Sequence, residues 1–248
     1  MDICDNKRFI NNHCRIVMNE HNLNTSIKFF NMDKEKVVKE LLRVLKNYSF
    51  TFRKENNFRL LITTILSQRT RDENSIKAAK NLFSVAATPQ QILKLKQNHL
   101  ERLIRSSGFY KEKAKKIRKT CEILIKDFKG KVPRTREELL KLYGVGYKTA
   151  DIVLSYGFGI PTIAVDTHVN RIPKRIGIVD EKATVEKVKQ TLEKYIKGKD
   201  RLIVNRGLIL FGREICRPIN PKCNICPMKK YCKYYKSVEL ISKVIKNA

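Results

Sequence analysis

Two residues with catalytic potential, Lys148 and Asp166, stand on either side of one short helix. Lys148 follows the run Gly144-Val145-Gly146 by two positions, and Asp166 comes eighteen residues after Lys148. Two glycines in a turn allow left-handed backbone angles and a close approach to another surface. We expect a helix to begin after this turn, so that Lys148 lies where the helix dipole disfavours a cation. This favours the neutral amine, which is the nucleophilic form of lysine.

The same residues also have purely structural interpretations. Thr135 and Glu138 form the Thr-x-x-Glu pattern of a capping box, so a short helix is expected before the turn. Gly144, Val145 and Gly146 could then be no more than the corner of a helical hairpin. The free N–H groups at the start of the second helix would nevertheless suit a phosphate. Asp166 could be the N-cap of the helix that follows it, and one carboxylate could serve both purposes.

A second cluster of reactive side chains lies near the C-terminal end of the sequence. Four of the seven cysteines, Cys216, Cys223, Cys226 and Cys232, fall within seventeen residues, with gaps of six, two and five. In a reducing compartment such a cluster indicates a metal more often than disulfides. Zinc sites commonly present two Cys-x-x-Cys pairs, whereas this segment has one. A [4Fe-4S] cluster held by four thiolates of one compact loop therefore fits better, with zinc as the alternative.

The net charge indicates a polyanionic partner. Lys and Arg number 53 against 24 Asp and Glu, which gives +29 at pH 7. Nucleic acid is the natural partner, and an acidic membrane surface or a ribosomal type of RNA complex are alternatives. The first residues contain no apolar signal core, and no apolar run approaches the length of a membrane span. We therefore expect an intracellular protein without a membrane partner.

Apolar periodicity predicts an all-α fold, because no alternating strand pattern or Asn-Gly hairpin is found. Caps are expected at Asp33, Thr88, Asn98, Thr184 and Asp200, and the helix that follows Asp200 is expected to end at Gly212. Residues 1–32 show no clear period and are interpreted as an extension. The predicted helices cover 32–48, two segments within 57–83, 88–95, 98–108, 110–128, 135–142, 149–158, 167–176, 185–196, 202–211 and 240–245.

The run Gly144 to Asp151, together with Pro161 to His168, resembles the helix-hairpin-helix DNA glycosylases and, within them, the endonuclease III family. The cysteine spacing is similar to that of the iron–sulfur loop with which these enzymes end. The resemblance spans about residues 33 to 233. It implies two helical domains, a six-helix domain over 50–160 that carries the hairpin and a cluster domain formed by 33–49 with 161–248. A monomer is expected.

The resemblance also identifies residues that would contact DNA. In the family a loop matching Ser67 to Asp72 fills the space that a departing nucleotide leaves, typically with a glutamine one position later than Gln68. Here Arg69 stands at that position, so either Gln68 or Arg69 could enter the duplex. Phe109 matches an apolar wedge, with a buried loop aromatic as the alternative. The other expected contacts are Gly144, Val145, Gly146, Asp72, His168, Arg217 and Lys222.

The resemblance implies a bifunctional DNA glycosylase and abasic-site lyase that removes oxidised pyrimidines from duplex DNA. Lys148 would attack the anomeric carbon of a flipped-out nucleotide and form a Schiff base, whose elimination nicks the strand. Asp166 would accept the lysine proton or stabilise positive charge on the sugar. The alternatives are a mismatch-specific adenine or thymine/uracil glycosylase of the same fold, and a non-catalytic iron–sulfur DNA-binding protein.

Overall fold

The computed structural model describes residues 33–48 and 56–246, with side chains described up to residue 240. All regular elements within these ranges are helical, which confirms the all-α prediction. No helix in them is both long and apolar enough to cross a bilayer. The α-helices are α1 Lys34–Lys46, α2 Asn57–Ser67, α3 Asp72–Val85, α4 Pro89–Lys94, α5 Gln97–Leu103, α6 Tyr110–Phe128, α7 Arg136–Leu140, α8 Tyr147–Ile152, α9 Thr167–Ile176, α10 Val185–Tyr195, α11 Asp200–Glu214 and α12 Lys233–Lys246.

Backbone contacts divide the chain into two compact units. One is Thr51–Ala164, here called the hairpin unit, and the other combines Met1–Phe50 with Val165–Ala248, here called the cysteine unit. The boundaries between the units lie after residues 50 and 164. The domain boundaries expected from the sequence lie after residues 49 and 160, and the domain assignment stays a prediction. The extension predicted over 1–32 lies outside the described residues.

The hairpin unit is built around one apolar core. The buried face of α2 contributes Leu61, Ile62 and Ile65 to it. The longest helix of the unit, α6, contributes Ala114, Ile117, Cys121 and Leu124, which recur every three or four residues and are fully buried. Burial raises the pKa of the Cys121 thiol to about 12, so it packs as a small apolar group.

Most of the predicted helix starts are present because a short polar side chain precedes them. The Asp33 carboxylate accepts hydrogen bonds from the amides of Glu35 and Lys36. Thr88 forms a complete capping box with Gln91, and Thr184 caps α10. These bonds join residues at most three positions apart, which is why the local sequence predicts them.

Two predicted caps are wrong. The helix expected to start at Asn98 begins at Gln97, where the N-cap Lys96 contributes no side-chain bond. Asp200 is the first helical residue of α11, so its carboxylate complements the helix dipole and Lys199 occupies the cap. Gly212 does not end α11, since that helix continues to Glu214. It is a packing residue, because a Cβ there would lie 2.3 Å from the His168 ring in α9.

Two other helices differ from their predicted extents. The helix expected over 149–158 begins at Tyr147 and changes after Ile152 to a π-helical turn over Val153–Gly157. The terminal helix expected over 240–245 covers Lys233–Lys246. This helix begins at Lys233, directly after Cys232, so the terminal helix is continuous with the cysteine segment.

Candidate active site

The glycine turn joins α7 to α8 and forms a helical hairpin. The Val145 amide donates to the Leu142 carbonyl over 3.1 Å, and the Val145 side chain is buried as the anchor of the turn. Gly144 has φ +84°, and a Cβ there would lie 2.9 Å from the Lys116 side chain. Gly146 is the extended N-cap of α8, with open space where its Cβ would be. The turn thus needs glycine for conformation at one position and leaves a bare backbone face at the other.

Lys148 lies in the first turn of α8 with its side chain exposed. No side chain of the described residues caps this helix start, so its first N–H groups have no side-chain acceptor. Thr149, Ala150 and Asp151, which follow, are all buried and anchor the helix in the core. A lysine amine is therefore presented on a fixed backbone beside N–H groups that can receive a phosphate.

A buried ion pair braces the hairpin from inside. Arg136, the first residue of α7, donates to the carboxylate of Asp151 in α8, which is 2% exposed. Thr162 donates to the same carboxylate and accepts a second hydrogen bond from Arg136. The pair joins the two helices to the segment that leads out of the hairpin unit, so the position of Lys148 depends on it.

Gln68 is attached to the hairpin. Its side-chain nitrogen donates to the Gly144 carbonyl over 2.9 Å and lies 3.5 Å from the Thr149 hydroxyl. Its side-chain oxygen accepts a hydrogen bond of 3.1 Å from Lys116. Both ends of this amide are engaged, so in this conformation Gln68 supports the hairpin turn.

Arg69 and Phe109 are exposed on two neighbouring loops of the hairpin unit. Arg69 has φ 52° and Phe109 has φ 46°, so both adopt left-handed backbone angles that non-glycine residues rarely take. Phe109 is 65% exposed, which contradicts its interpretation as a buried loop aromatic. Asp72, a further predicted contact, is exposed at the start of α3.

Asp166 is a predicted site residue in the cysteine unit, and it caps α9. Its Oδ1 accepts hydrogen bonds from the amides of His168 and Val169, over 2.9 and 2.8 Å. The cap uses Oδ1, so Oδ2 remains outside these two bonds. His168 is half-buried, and its ring lies against Gly212 of α11. The structural interpretation of Asp166 as an N-cap is correct, and it leaves an oxygen for a second task.

Two arginines of α9 hold the loop between the first two cysteines. Arg171 donates to the Cys216 carbonyl over 2.9 Å. Arg175 donates to the carbonyls of Arg217 and Pro218, over 2.6 and 2.8 Å. The side chains of Arg217 and Lys222 on this loop are exposed, as a contact to a phosphate backbone requires.

The four clustered cysteines share one neighbourhood in the cysteine unit. Cys232 is buried, and the other three are half-buried. Burial raises the pKa of Cys226, and Cys216 and Cys223 raise it further; burial also raises the pKa of Cys232 to about 11. Arg175 approaches the Cys216 sulfur at 3.6 Å and accepts at its carbonyl from Cys232. These electrostatic influences show that the four thiols lie in one neighbourhood of the cysteine unit.

The donor set of this neighbourhood is made of sulfur alone. Thiolate ligands suit zinc and iron–sulfur clusters, and both therefore stay compatible with the four cysteines. Within residues 33–48 and 56–240, no three or more His, Cys, Asp or Glu side chains lie close enough to hold a metal ion as they stand. The iron–sulfur prediction thus depends on the spacing of the ligands in the chain.

Three residues that support the site were not singled out from the sequence. They are Lys113, Lys116 and the Arg136 partner of Asp151. The sequence contained a signal for Lys113, because it lies four positions before Ile117 and therefore on the inward face of α6. In the structure it is buried despite its charge. The contacts of Lys116 and Arg136 join distant segments and leave no local pattern.

The fold and the hairpin define a class of DNA repair protein. The model of the HhH-GPD superfamily of base excision DNA repair proteins matches residues 62–198. Endonuclease III of Thermotoga maritima is 45% identical over 201 residues, which are 81% of this chain and 94% of that protein. A trapped endonuclease III–DNA covalent intermediate is similar with a TM-score of 0.78 and 38% identity, over 84% of this chain and 99% of that one. The chain belongs to the endonuclease III family of this superfamily.

Another solved structure is also similar. A thermostable thymine-DNA glycosylase gives a TM-score of 0.75 at 30% identity, over 82% of this chain and 97% of that one. This likeness means that the shared fold alone does not select the lesion, and that the residues of the site must do so.

Proposed function

We propose that this protein is a bifunctional DNA glycosylase and abasic-site lyase that removes oxidised pyrimidines from duplex DNA in base excision repair. The observation that carries the proposal is the exposed Lys148 amine in the uncapped first turn of α8, after the glycine turn. A hairpin that only bound phosphate would need no lysine there, because backbone N–H groups already supply the donors. The endonuclease III relationship supports the same reaction.

Binding to the duplex comes first in this mechanism. The phosphate of the target strand approaches the bare backbone of Gly144 and Gly146 and the first N–H groups of α8. The excess of positive charge draws the polyanion to the protein at long range. The target nucleotide is then turned out of the stack, at a cost of a few kcal/mol that is smallest for a damaged base.

Lys148 and Asp166 carry the chemistry. The Lys148 amine attacks the anomeric carbon as the bond from that carbon to the base breaks, and the base leaves with the bonding electrons and takes up a proton. Asp166 accepts the proton that the lysine loses, using the oxygen outside its helix cap. The C1′–O4′ bond of the sugar then breaks, O4′ takes up the proton held by Asp166, and an iminium remains between Lys148 and C1′. This iminium makes the sugar C2′ proton acidic, and β-elimination expels the 3′ phosphate and nicks the strand.

Cys216, Cys223, Cys226 and Cys232 would hold a [4Fe-4S] cluster. When bound, the cluster supplies a rigid crosslink of the loop that presents Arg217 and Lys222. The Schiff-base route uses no electron transfer, so these residues act through structure. The bacterial relatives support the expectation that the protein acts in the cytoplasm, on the nucleoid.

The test is covalent trapping with borohydride on a duplex that contains one thymine glycol. The unmodified protein should give a protein–DNA band, and Lys148→Ala should give none while still binding the duplex. Lys141→Ala is the matched control, because Lys141 is an exposed lysine of the same hairpin. It should trap as the unmodified protein does.

Three other results would each contradict part of the proposal. Trapping on a pre-formed abasic site alone would keep the lyase and refute removal of that oxidised pyrimidine. Release of thymine from a G·T mismatch without lyase activity would favour the mismatch enzymes, an alternative supported by the thymine-DNA glycosylase likeness. Tight binding without trapping on any of these duplexes would identify a non-catalytic DNA-binding protein.

A further inference from the structure

Lys113 is a buried lysine outside the catalytic hairpin. Its side chain, in the first two turns of α6, is 3% exposed. Its ammonium donates three hydrogen bonds, to the Leu66 carbonyl over 2.7 Å, the Thr70 hydroxyl over 2.6 Å and the Ser107 carbonyl over 2.7 Å. The three donors of one ammonium are thus matched by three acceptors, as a buried charge requires.

The three acceptors lie beside two different loops. Leu66 and Thr70 flank the loop that carries Arg69, and Ser107 precedes the loop that carries Phe109. The Thr70 hydroxyl also donates to the Ser107 carbonyl, so the two loops are joined directly as well as through Lys113. The ammonium is therefore the centre of one buried network that holds both loops.

Each loop presents one exposed residue in a strained conformation. Arg69 and Phe109 both have left-handed φ angles, of 52° and 46°. Such angles persist in non-glycine residues only where the surroundings impose them. Thr70 is the neighbour of Arg69, and Ser107 lies two residues before Phe109, so an acceptor of the Lys113 ammonium stands beside each strained position. We therefore attribute the left-handed angles of Arg69 and Phe109 to this network.

The exposed pair lies next to the nucleophile-bearing hairpin. Gln68, the neighbour of Arg69, donates to the Gly144 carbonyl. A planar cation and an exposed aromatic ring can both stack on bases, and so can substitute for the stacking that a departing nucleotide removes. Their common attachment means that the two side chains would meet the duplex at a fixed spacing.

We propose that Lys113 is a positioning residue for damage recognition, because its ammonium holds the Arg69 and Phe109 loops in the arrangement that opens the duplex. This inference rests on the proposed function. Lys113 touches neither DNA nor the reacting atoms. It acts through the two loops, and its loss should affect base extrusion more than the chemistry of Lys148.

The charge of Lys113 is also sensitive to pH. Burial, and to a smaller extent the nearby Lys116, together lower its pKa to about 8. Lys116 itself donates to Gln68, and Arg69, Arg71 and Arg105 on the surrounding loops are exposed. The neutral amine has two donors for three acceptors, so one bond of the network is lost above about pH 8.

The experiment measures opening of the duplex directly. A 2-aminopurine base beside a tetrahydrofuran abasic analogue becomes fluorescent when it is unstacked. The variants for this assay are made in the Lys148→Ala protein, which lacks the proposed nucleophile, so that fluorescence reports opening of the duplex alone. Lys113→Met keeps the length of the side chain and removes the charge, and Lys115→Met is the matched control because Lys115 is an exposed lysine of the same helix.

Lys113→Met should lower the equilibrium constant for opening by about 10- to 100-fold, since a charge-assisted network is lost. In the protein with Lys148 intact, the rate of thymine-glycol release should fall by about the same factor, while lyase activity on a pre-formed abasic site changes by less than about threefold. Thr70→Ser keeps the hydroxyl and should open the duplex normally, whereas Thr70→Val should not. Lys115→Met should match its parent in both assays.

An unchanged opening constant in Lys113→Met would overturn the proposal, and so would an equal loss of both activities. If Lys113→Met fails to fold, the pH profile of the Lys148→Ala protein decides: opening should decrease with a midpoint near pH 8, and a flat profile refutes the role. Failure of borohydride trapping would refute the proposed reaction without changing the fluorescence comparison, so the two ideas fail separately.

Discussion

Asp166 performs two tasks that a pair of substitutions can separate. Its Oδ1 caps α9 through the amides of His168 and Val169, and its charge is proposed to take the Lys148 proton. Asparagine keeps an oxygen in the same place, so Asp166→Asn preserves the cap and removes the charge. Asp166→Ala removes both.

The two variants should therefore differ in stability and agree in activity. Asparagine is as good an N-cap as aspartate, and loss of the charge at the helix start costs about 0.3–1 kcal/mol. Alanine loses in addition both amide hydrogen bonds, which costs about 1 kcal/mol more. Loss of a general base lowers the rate by about 10²- to 10⁴-fold, and this should be common to both variants.

Urea unfolding followed by circular dichroism measures the first difference, and single-turnover release of thymine glycol measures the second. Borohydride trapping on a pre-formed abasic site adds a control for the attack by Lys148. Full activity in Asp166→Asn would show that the carboxylate charge is dispensable. Equal unfolding free energies of the Asn and Ala variants would refute the cap as a contribution to stability.

The hairpin unit supports three further predictions. Gly144→Ala should lower the free energy of unfolding by about 1 kcal/mol because φ is +84° there, whereas Gly146→Ala should leave unfolding unchanged and weaken binding to duplex DNA, measured by fluorescence anisotropy. Arg136→Met should lower the free energy of unfolding by about 3–5 kcal/mol, since it leaves the buried Asp151 carboxylate without this cation. Cys121 should resist maleimide at pH 8 in the native protein, as peptide mass spectrometry would show, because burial raises its pKa to about 12.

Each of these has a clear contrary result. Normal binding by Gly146→Ala would mean that phosphate does not approach this face of the turn. A loss below about 1 kcal/mol in Arg136→Met would mean that water or another group stabilises the Asp151 carboxylate as well as the guanidinium does. Rapid labelling of Cys121 before unfolding would mean that α6 opens locally.

The features that could be predicted from the sequence depend on interactions between residues close together in the chain. The caps at Asp33, Thr88, Thr184 and Asp166 join groups at most three residues apart, so residue types and spacing indicate them directly. The buried stripe of α6 follows from helical periodicity in the same way. The hairpin turn was predictable because two glycines around one apolar residue favour a tight turn between helices.

The features that could not be predicted join distant segments. Gln68 and Gly144 are 76 residues apart, and Lys113 and Leu66 are 47 apart. From sequence alone, a polar side chain on an interhelical loop is expected to face solvent. Only the folded structure shows which carbonyl it binds. The predicted helix end at Gly212 was wrong for a related reason. A glycine that is needed for close helix packing has the same sequence signal as a glycine that ends a helix.

One helix of the cysteine unit would couple the proposed cluster on the four cysteines to the proposed base. Helix α9 starts at the Asp166 cap, and one and two turns later Arg171 and Arg175 bind the carbonyls of the cysteine loop. Arg175 also stacks on the Tyr234 ring of α12 at 4.7 Å. The proposed base and the loop carrying Arg217 therefore share one rigid element. A cluster that fixes the loop would fix α9 through these bonds, so loss of the cluster should disturb the position of Asp166 as well as DNA binding.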